Sequence, residues 1–428
     1  MIKLKIPDIL KHNFVVGLTI IVKAVFQLLL LKSISVYFGI ASIGQFSQAT
    51  SFVLLLQTLL CAGSINYIVS DWIKTNLNEI DKKSFIGTLT SWAFISLAVI
   101  SLSFLIFGNQ ISQFVFLSDS YTWFFEILAS VWIFIIFQTY FQGLLSSYKL
   151  IREIFISQAL ANLTSISLFV YFCSKKQFEM AIVSYLLVYL FLCLIQFYFL
   201  IRKKIIEFSF FRFKFSKIIF GRLAGHIFTI FVTGFLSTLY MITTRRYLIE
   251  TQGRDWHFVG EWQSILKISE IMSSFLGLSI MTLYFPSLST IKDLSALKKH
   301  VKDNLIKNSA IIFLMLVVLS IFAEQILKLV YSSEFTHLAG LLRLQFVGDF
   351  FRLSSWVFTY FFLSKLPLYV FLIFEALFNI TIYFLTRYLS ADYGLTGLIY
   401  AQNIVNISFF FVALLIYLNF INSNKVKL

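Results

Sequence analysis

Cysteine and proline are both scarce in this sequence of 428 residues, at three residues each. Cys61, Cys173 and Cys193 all lie within apolar runs, so we expect them to pack as small hydrophobic residues and not to form a disulfide framework. The prolines fall at the edges of the apolar runs, which leaves each run free to form an uninterrupted helix.

Motifs for enzyme chemistry are also lacking. The sequence has no P-loop for ATP and no recognisable nucleophilic triad, and its five histidines do not show the HxxxH spacing of a metal site. We therefore predict no catalytic residue, no metal site and no cofactor.

Charged residues make up only 13% of the chain, whereas 59% of it is hydrophobic and the mean hydropathy is +0.86. A soluble domain cannot hide this much apolar surface in one core. The apolar runs have the length of transmembrane helices and do not alternate like barrel strands. The first run follows several lysines, as in a signal peptide, but it contains Lys23 and no small-residue cleavage site follows, so we count it as the first span. The fold class predicted is an all-α polytopic membrane protein.

The apolar segments predict about twelve transmembrane helices. Their ranges are 12–36, 42–70, 84–107, 121–147, 154–173, 178–201, 217–244, 257–285, 304–331, 338–363, 367–386 and 394–420. The longest basic connection follows the sixth helix and suggests two six-helix lobes. We predict an N-terminal lobe at residues 1–200, a basic cytoplasmic linker at 201–217 and a C-terminal lobe at 218–428. Because six is even, the lobes would be related by a pseudo-twofold axis along the membrane normal.

A weak internal echo supports this division. The Gly44-Gln45 pair enters the second helix of the first lobe, and Gly260-Glu261 enters the second helix of the other. These two pairs would correspond if the lobes are repeats.

The formal net charge of +15 would suggest nucleic acid in a soluble protein, but here membrane topology explains most of it. Alternate loops carry twenty-one Lys and Arg residues on one side of the membrane and seven on the other. Because cytoplasmic loops carry the excess of positive charge, both termini should lie in the cytoplasm. The smaller set comprises Lys32, Lys175, Lys176, Arg245, Arg246, Arg254 and Arg387.

The stretch 259–286 is long and apolar enough to span a bilayer, yet it contains Lys267 and Glu270. Gln263 lies one turn before Lys267, on the same helical face. A charge at the bilayer centre costs about 2.5–3.5 kcal/mol on insertion scales, so such side chains normally face a partner or a water-filled cavity. This helix is therefore predicted to line a water-accessible path.

Counting residues from the helix ends places several charges near one plane of the membrane. Lys23 lies eleven residues past His12, about 16 Å into the bilayer, and Lys267 reaches a similar depth from the opposite face. The other polar candidates are Gln27 on the first helix, Arg222 on the seventh, Asp349 and Arg352 on the tenth and Glu375 on the eleventh.

A purely structural role is the alternative for some of these residues. Lys267 with Glu270, and Asp349 with Arg352, are spaced i, i+3, so each pair would also fit a local ion pair that only locks helix packing. Lys23 differs, because no acidic residue lies within one turn of it. An anionic ligand or a distant partner is then favoured.

Several separated blocks resemble a known family. They are IIVKAVFQLLLLKSISVYFGIASIGQFSQ, CAGSINYIVS, GEWQSILKISEIMSSFLGLSIMTLYFPSLS and LQFVGDFFRLSSWVFTYFFLSKLPLYVFLIFEALFN. They are similar to the O-antigen flippases, and most similar to the enterobacterial common antigen (lipid III) branch of the MOP exporter superfamily, to which the MATE transporters also belong. The likeness covers most of the chain and is weakest from about residue 84 to 215 and after 390.

The resemblance implies a flippase of the bacterial inner membrane that moves an undecaprenyl-pyrophosphate-linked oligosaccharide to the periplasmic leaflet by alternating access. A cationic cavity would then hold the pyrophosphate, and other glycan-assembly membrane proteins are implied as partners. The residues that match the family pattern are Lys23, Lys32, Lys267, Glu270, Asp349 and Arg352. We assign the pyrophosphate and cavity to Lys23, Lys267, Arg222, Arg352, Gln27 and Gln263, and charge pairing or coupling to protons or sodium to Glu270, Asp349 and Glu375. The second helix supplies glutamines but no charge at mid-membrane, which departs from the family pattern.

Three other classes of function fit less well. A MATE-like cation-coupled drug antiporter would favour an acidic cavity and often has a proline in its first helix, where this chain has Lys23. An O-antigen polymerase or ligase would have a large periplasmic loop, whereas the loops predicted here are short. A passive scaffold remains the third alternative.

Overall fold

A computed structural model describes residues 6–74, 79–207, 211, 213–280, 284–291 and 293–423. Within these residues the chain is almost entirely helical and contains no β-strand. In chain order the helices are α1 (Ile6–Phe38), α2 (Ile40–Leu60), α3 (Ala62–Lys74), α4 (Glu79–Phe116), α5 (Thr122–Ser147), α6 (Ile151–Ser174), α7 (Phe178–Arg202), α8 (Lys217–Glu250), α9 (Trp256–Ser279), α10 (Phe285–Thr290), α11 (Leu294–Ile321), α12 (Ala323–Val330), α13 (Ala339–Lys365) and α14 (Leu368–Asn422).

Each of the twelve predicted apolar segments coincides with helix in the described residues. The second segment is divided into α2 and α3, and the ninth into α11 and α12. The last two segments meet in α14, whose only non-helical residue is Gly394, with φ 55° and ψ −129°. Glycine adopts this positive φ without the steric cost of a Cβ atom, so the chain bends there.

Seven of the described helices are long and apolar enough to cross a membrane, or eight if α2 and α3 form one bent span. The helices α8, α9 and α13 are not among the seven. These three helices carry Arg222, Lys267 and Asp349. Lys23 and Glu375 lie on helices that do meet the criterion, α1 and α14.

The chain forms two compact units. The first consists of Met1–Phe38 and Gln45–Arg246, and the second of Gly39–Gly44 and Tyr247–Leu428. Helix α8 therefore groups with α1–α7 and not with the helices that follow it. The lobe boundaries proposed from the sequence, at residues 200 and 218, stay a prediction.

Small residues let α8 pack closely against α2 and α3 in the first unit. A Cβ atom added to Gly63 would lie 2.4 Å from the backbone of His226, and one added to Gly234 would lie 2.9 Å from the side chain of Thr58. The residue with the higher number on α2 and α3, Gly63, contacts the residue with the lower number on α8, His226, so α8 runs antiparallel to α2 and α3. Close approach through small residues is typical of helix packing in membranes.

In the second unit α13 is the central helix, since it packs against α9, α10, α11 and α14. Its buried face includes Val357, Phe358 and Phe361, all with 0% exposure. The Tyr284 hydroxyl, in the turn before α10, donates to the carbonyl oxygen of Val357 at 3.1 Å. This packing fixes the orientation of α13 and therefore the direction of its polar side chains.

Candidate functional site

A buried polar network joins α9 to α13 in the second unit, and Asp349 is its centre. This residue has 0% exposure. Its carboxylate accepts hydrogen bonds from the Ser269 hydroxyl at 2.5 Å and from Gln345 Nε2 at 3.1 Å. Arg352 Nη2 lies 3.4 Å from Asp349 Oδ1. A carboxylate is tolerated inside a membrane helix bundle when it is paired and hydrogen-bonded in this way.

Arg352 extends this network along α9. Its Nη2 atom also donates to the Ser273 hydroxyl at 2.6 Å, and 29% of its side chain is exposed. Ser269 and Ser273 are four residues apart on α9, while Asp349 and Arg352 are three apart on α13, so each pair lies on one face of its helix. The two polar faces meet along the α9–α13 contact.

Lys267 and Glu270 form a second ion pair on α9. Lys267 Nζ and Glu270 Oε2 are 2.7 Å apart, with side-chain exposures of 15% and 43%. The i, i+3 spacing thus gives a local ion pair here as it does at Asp349 and Arg352. The two cations, Lys267 and Arg352, are only partly buried, because part of each side chain is exposed.

The candidates on α1 and α8 lie in the first unit. Lys23 and Gln27 are exposed, one turn apart on α1, and Arg222 is exposed on α8. In the part of the chain that the structure describes, the Lys23 ammonium has no hydrogen bond or ion pair with another side chain. Among the six residues assigned to the pyrophosphate and cavity, Gln263 on α9 is the one that is fully buried, with 0% exposure.

Glu375 on α14 lines a cavity of about 380 Å³ in the second unit. Ser273, which accepts from Arg352, lines the same cavity. The structure therefore brings Glu375 into one neighbourhood with the Asp349–Arg352 network, which the sequence alone does not indicate. The assignment of all nine candidates to substrate or coupling stays a prediction.

Arg245 is buried within a helix, so its prediction from the sequence as a loop charge is wrong. Helix α8 continues to Glu250, and Arg245 is only 1% exposed. Its Nη1 atom lies within 3.0 Å of the Ser47 carbonyl oxygen and Gln48 Oε1, and 2.9 Å from the Ser51 hydroxyl. The available signal was periodicity, because Arg245 follows the buried residues Thr238 and Ile242 at helical steps.

Comparisons with known proteins agree with this architecture, although no protein-family model matches the chain. The lipid III flippase of Escherichia coli (strain K12) is 22% identical over 355 residues, which cover 81% of this chain and 83% of that protein. The lipid III flippase of Shigella flexneri matches with the same identity and coverage.

Solved structures give the fold. A lipid II flippase, MurJ, in an inward closed conformation superposes with a TM-score of 0.74 and 16% identity over 95% of this chain and 87% of that one. An inward-facing multidrug-resistance MATE transporter of the MOP superfamily superposes with a TM-score of 0.71 and 16% identity, and 96% of each chain is covered. The chain has the fold of the MOP-superfamily transporters.

The MOP-type fold confirms the predicted fold class, an all-α polytopic membrane protein. The family resemblance inferred from the sequence is confirmed as well, since the sequence relatives are lipid III flippases and the structural neighbours are MOP transporters. These relatives are flippases and transporters and not enzymes, which agrees with the absence of catalytic motifs from the sequence.

Proposed function

We propose that this MOP-type transporter flips an undecaprenyl-pyrophosphate-linked glycan, an O-antigen repeat unit or lipid III, from the cytoplasmic to the periplasmic leaflet by alternating access. The exposed residue Lys23 on α1 carries the proposal. An exposed charge on a membrane-spanning helix must face water or a polar ligand, because hydrocarbon does not solvate it. A lysine in that position suits an anionic group, and lipid III flippases are the sequence relatives.

Such a protein has to move a charged headgroup across the hydrocarbon core of the membrane. A pyrophosphate and its glycan cannot cross hydrocarbon unaided, since burying unpaired ions costs far more than the lipid tail gains. Lys23, Lys267, Arg222 and Arg352 would replace the lost hydration with fixed positive charge, and the isoprenoid tail would stay in the membrane. Gln27 and Gln263 would supply neutral hydrogen-bonding groups.

Coupling is assigned to the acidic residues of the second unit. Glu270 and Asp349 would respond to protons or sodium by changing their pairing with Lys267 and Arg352, and Glu375 would respond by a change in its own charge. The protein would lie in the bacterial inner membrane with both termini in the cytoplasm and work beside other membrane proteins of glycan assembly. A MATE-like antiporter of organic cations is the second candidate, supported by the MATE neighbours in fold.

The test is transport by the purified protein in liposomes. The wild type should move a fluorescent undecaprenyl-pyrophosphate-linked glycan between leaflets, and Lys23→Gln and Lys267→Gln should slow it. Lys299→Gln, an exposed lysine at the start of α11, is the matched control and should transport at the wild-type rate. Wild-type rates for both site variants would contradict the cavity assignment, and transport of an organic cation instead of the glycolipid would favour the antiporter.

A further inference from the structure

The cavity that Glu375 lines is aromatic and acidic, and a bound pyrophosphate does not account for such a lining. It lies among α9, α13 and α14, and its aromatic lining consists of Trp356, Tyr360 and Phe371. A carboxylate facing this space would repel a phosphate group. Another part of the ligand must therefore fit here.

Three of the polar residues that line the cavity, Ser274, Thr359 and Glu375, can accept hydrogen bonds. Within the described residues the Glu375 carboxylate has no hydrogen bond or ion pair, and it lines the cavity. The hydroxyl groups of Ser274 and Thr359 donate to carbonyl oxygens of their own helices, those of Glu270 at 2.9 Å and Trp356 at 3.2 Å, so their oxygen lone pairs remain available. A ligand that pairs with these three groups has to bring several donors.

The indole of Trp356 packs directly against α9 because Gly277 has no side chain. A Cβ atom added to Gly277 would lie 2.8 Å from Trp356 Cζ3. Because Gly277 and Trp356 both line the cavity, the ring packs on the backbone of α9 and forms part of the wall. A flat, rigid aromatic wall of this kind suits a ligand with an apolar face.

A pyranose ring meets both requirements, since hydroxyl donors surround its rim and C–H groups form its faces. The volume of about 380 Å³ is near the lower end of the roughly 300–1,000 Å³ of ligand pockets, so the cavity fits one or two sugar rings and not a whole oligosaccharide. Arg352 donates to Ser273, which lines the cavity, so a cation that can hold phosphate is adjacent to it.

We infer that this cavity is a sugar subsite, which binds the sugar residue linked directly to the pyrophosphate while Arg352 contacts the phosphate beside it. Glu375, Ser274 and Thr359 accept hydrogen bonds from the sugar hydroxyls, and Trp356, Tyr360 and Phe371 pack against the ring. The inference rests on the proposed function, because it assigns a second part of the same substrate.

Binding of two lipids tests this subsite. The purified protein in nanodiscs is titrated with undecaprenyl pyrophosphate and with the same lipid carrying a single N-acetylhexosamine. Glu375→Gln and Trp356→Leu should each weaken binding of the sugar-bearing lipid about tenfold and leave binding of the bare lipid unchanged, because a hydrogen bond to a charged group and a stacked ring each contribute on this scale. Glu126→Gln on α5 and Phe384→Leu on α14, both exposed, are the matched controls and should bind both lipids like the wild type.

Thermal unfolding of each variant identifies those that fold, and Phe371→Leu replaces Trp356→Leu if the latter does not. An equal loss for both lipids, or no loss for either, would overturn the subsite alone. Wild-type protein that binds neither lipid would overturn the proposed function and the subsite with it. Tetraphenylphosphonium is a third probe, and its Glu375-dependent binding without any change for the sugar-bearing lipid would show an organic-cation site instead.

Discussion

Gly44 and Gly260 meet backbone to backbone. A Cβ atom added to Gly44 would lie 3.1 Å from the backbone nitrogen of Gly260, and one added to Gly260 would lie 2.0 Å from the carbonyl oxygen of Ile40. The first residues of α2 and α9 thus touch without intervening side chains. These are the two glycines that the internal echo of the sequence pairs with each other.

Replacing Gly260 by alanine should destabilise the protein. The added methyl group meets backbone atoms, which cannot move aside as a side-chain end would, so we expect a loss of about 1–3 kcal/mol in the free energy of unfolding. Gly340→Ala on α13 is the control, because no atom lies within 4 Å of the added Cβ. Thermal unfolding of both variants in one detergent measures the difference, and equal melting temperatures would contradict the close contact.

Arg245 should contribute more to stability than its neighbour Arg246. Arg245→Met removes a buried cation and leaves Gln48 and Ser51 without that donor, which should cost about 3 kcal/mol. Arg246 contacts the Phe114 carbonyl oxygen at 3.3 Å and lies 4.9 Å from the Phe114 ring, so Arg246→Met should cost about 1 kcal/mol or less.

Chemical denaturation of the two arginine variants gives the comparison. Similar losses for both would mean that the α2–α8 contact does not depend on the buried guanidinium.

Ser269 and Asp349 should be energetically coupled. Their direct hydrogen bond joins α9 to α13, so a double-mutant cycle with Ser269→Ala and Asp349→Asn should give an interaction energy of about 0.5–3 kcal/mol. Ser165→Ala is the control for the serine change, since Ser165 is also buried but donates to the Ser184 carbonyl in the first unit. The Ser165 and Asp349 changes should be additive in unfolding free energy, and additivity in the Ser269 cycle as well would argue against a stabilising network.

The sequence predicted those parts of the site that depend on one helix at a time. The contacts of Lys267 with Glu270 and of Asp349 with Arg352 follow from i, i+3 spacing, and both exist in the structure. The bonds of Asp349 to Ser269 and of Arg352 to Ser273 join α9 to α13, some eighty residues apart in the chain. Hydropathy and spacing carry no information about which helices become neighbours.

Arg245 shows a second limit. Two adjacent arginines after an apolar run resemble the end of a membrane segment, so the sequence predicts that the seventh helix ends at residue 244. Burial of Arg245 depends on acceptors that α2 supplies nearly two hundred residues earlier. The cavity at Glu375 likewise requires three helices to come together, and only Glu375 itself was identifiable from the sequence, by its charge.

Lys176 and Lys204 provide a matched test of topology, because they lie at opposite ends of α7. Both are exposed and both have positive φ, 56° and 55°, so a cysteine at either position has the same backbone strain. The three native cysteines are buried and should react little.

The charge distribution predicts that Lys176 lies in the periplasm and Lys204 in the cytoplasm. A membrane-impermeant maleimide added to cells with a permeabilised outer membrane should therefore label Lys176→Cys, and should label Lys204→Cys only after the inner membrane is opened. The reverse labelling pattern would show that the protein has the opposite orientation in the membrane, and it would contradict the proposed direction of transport.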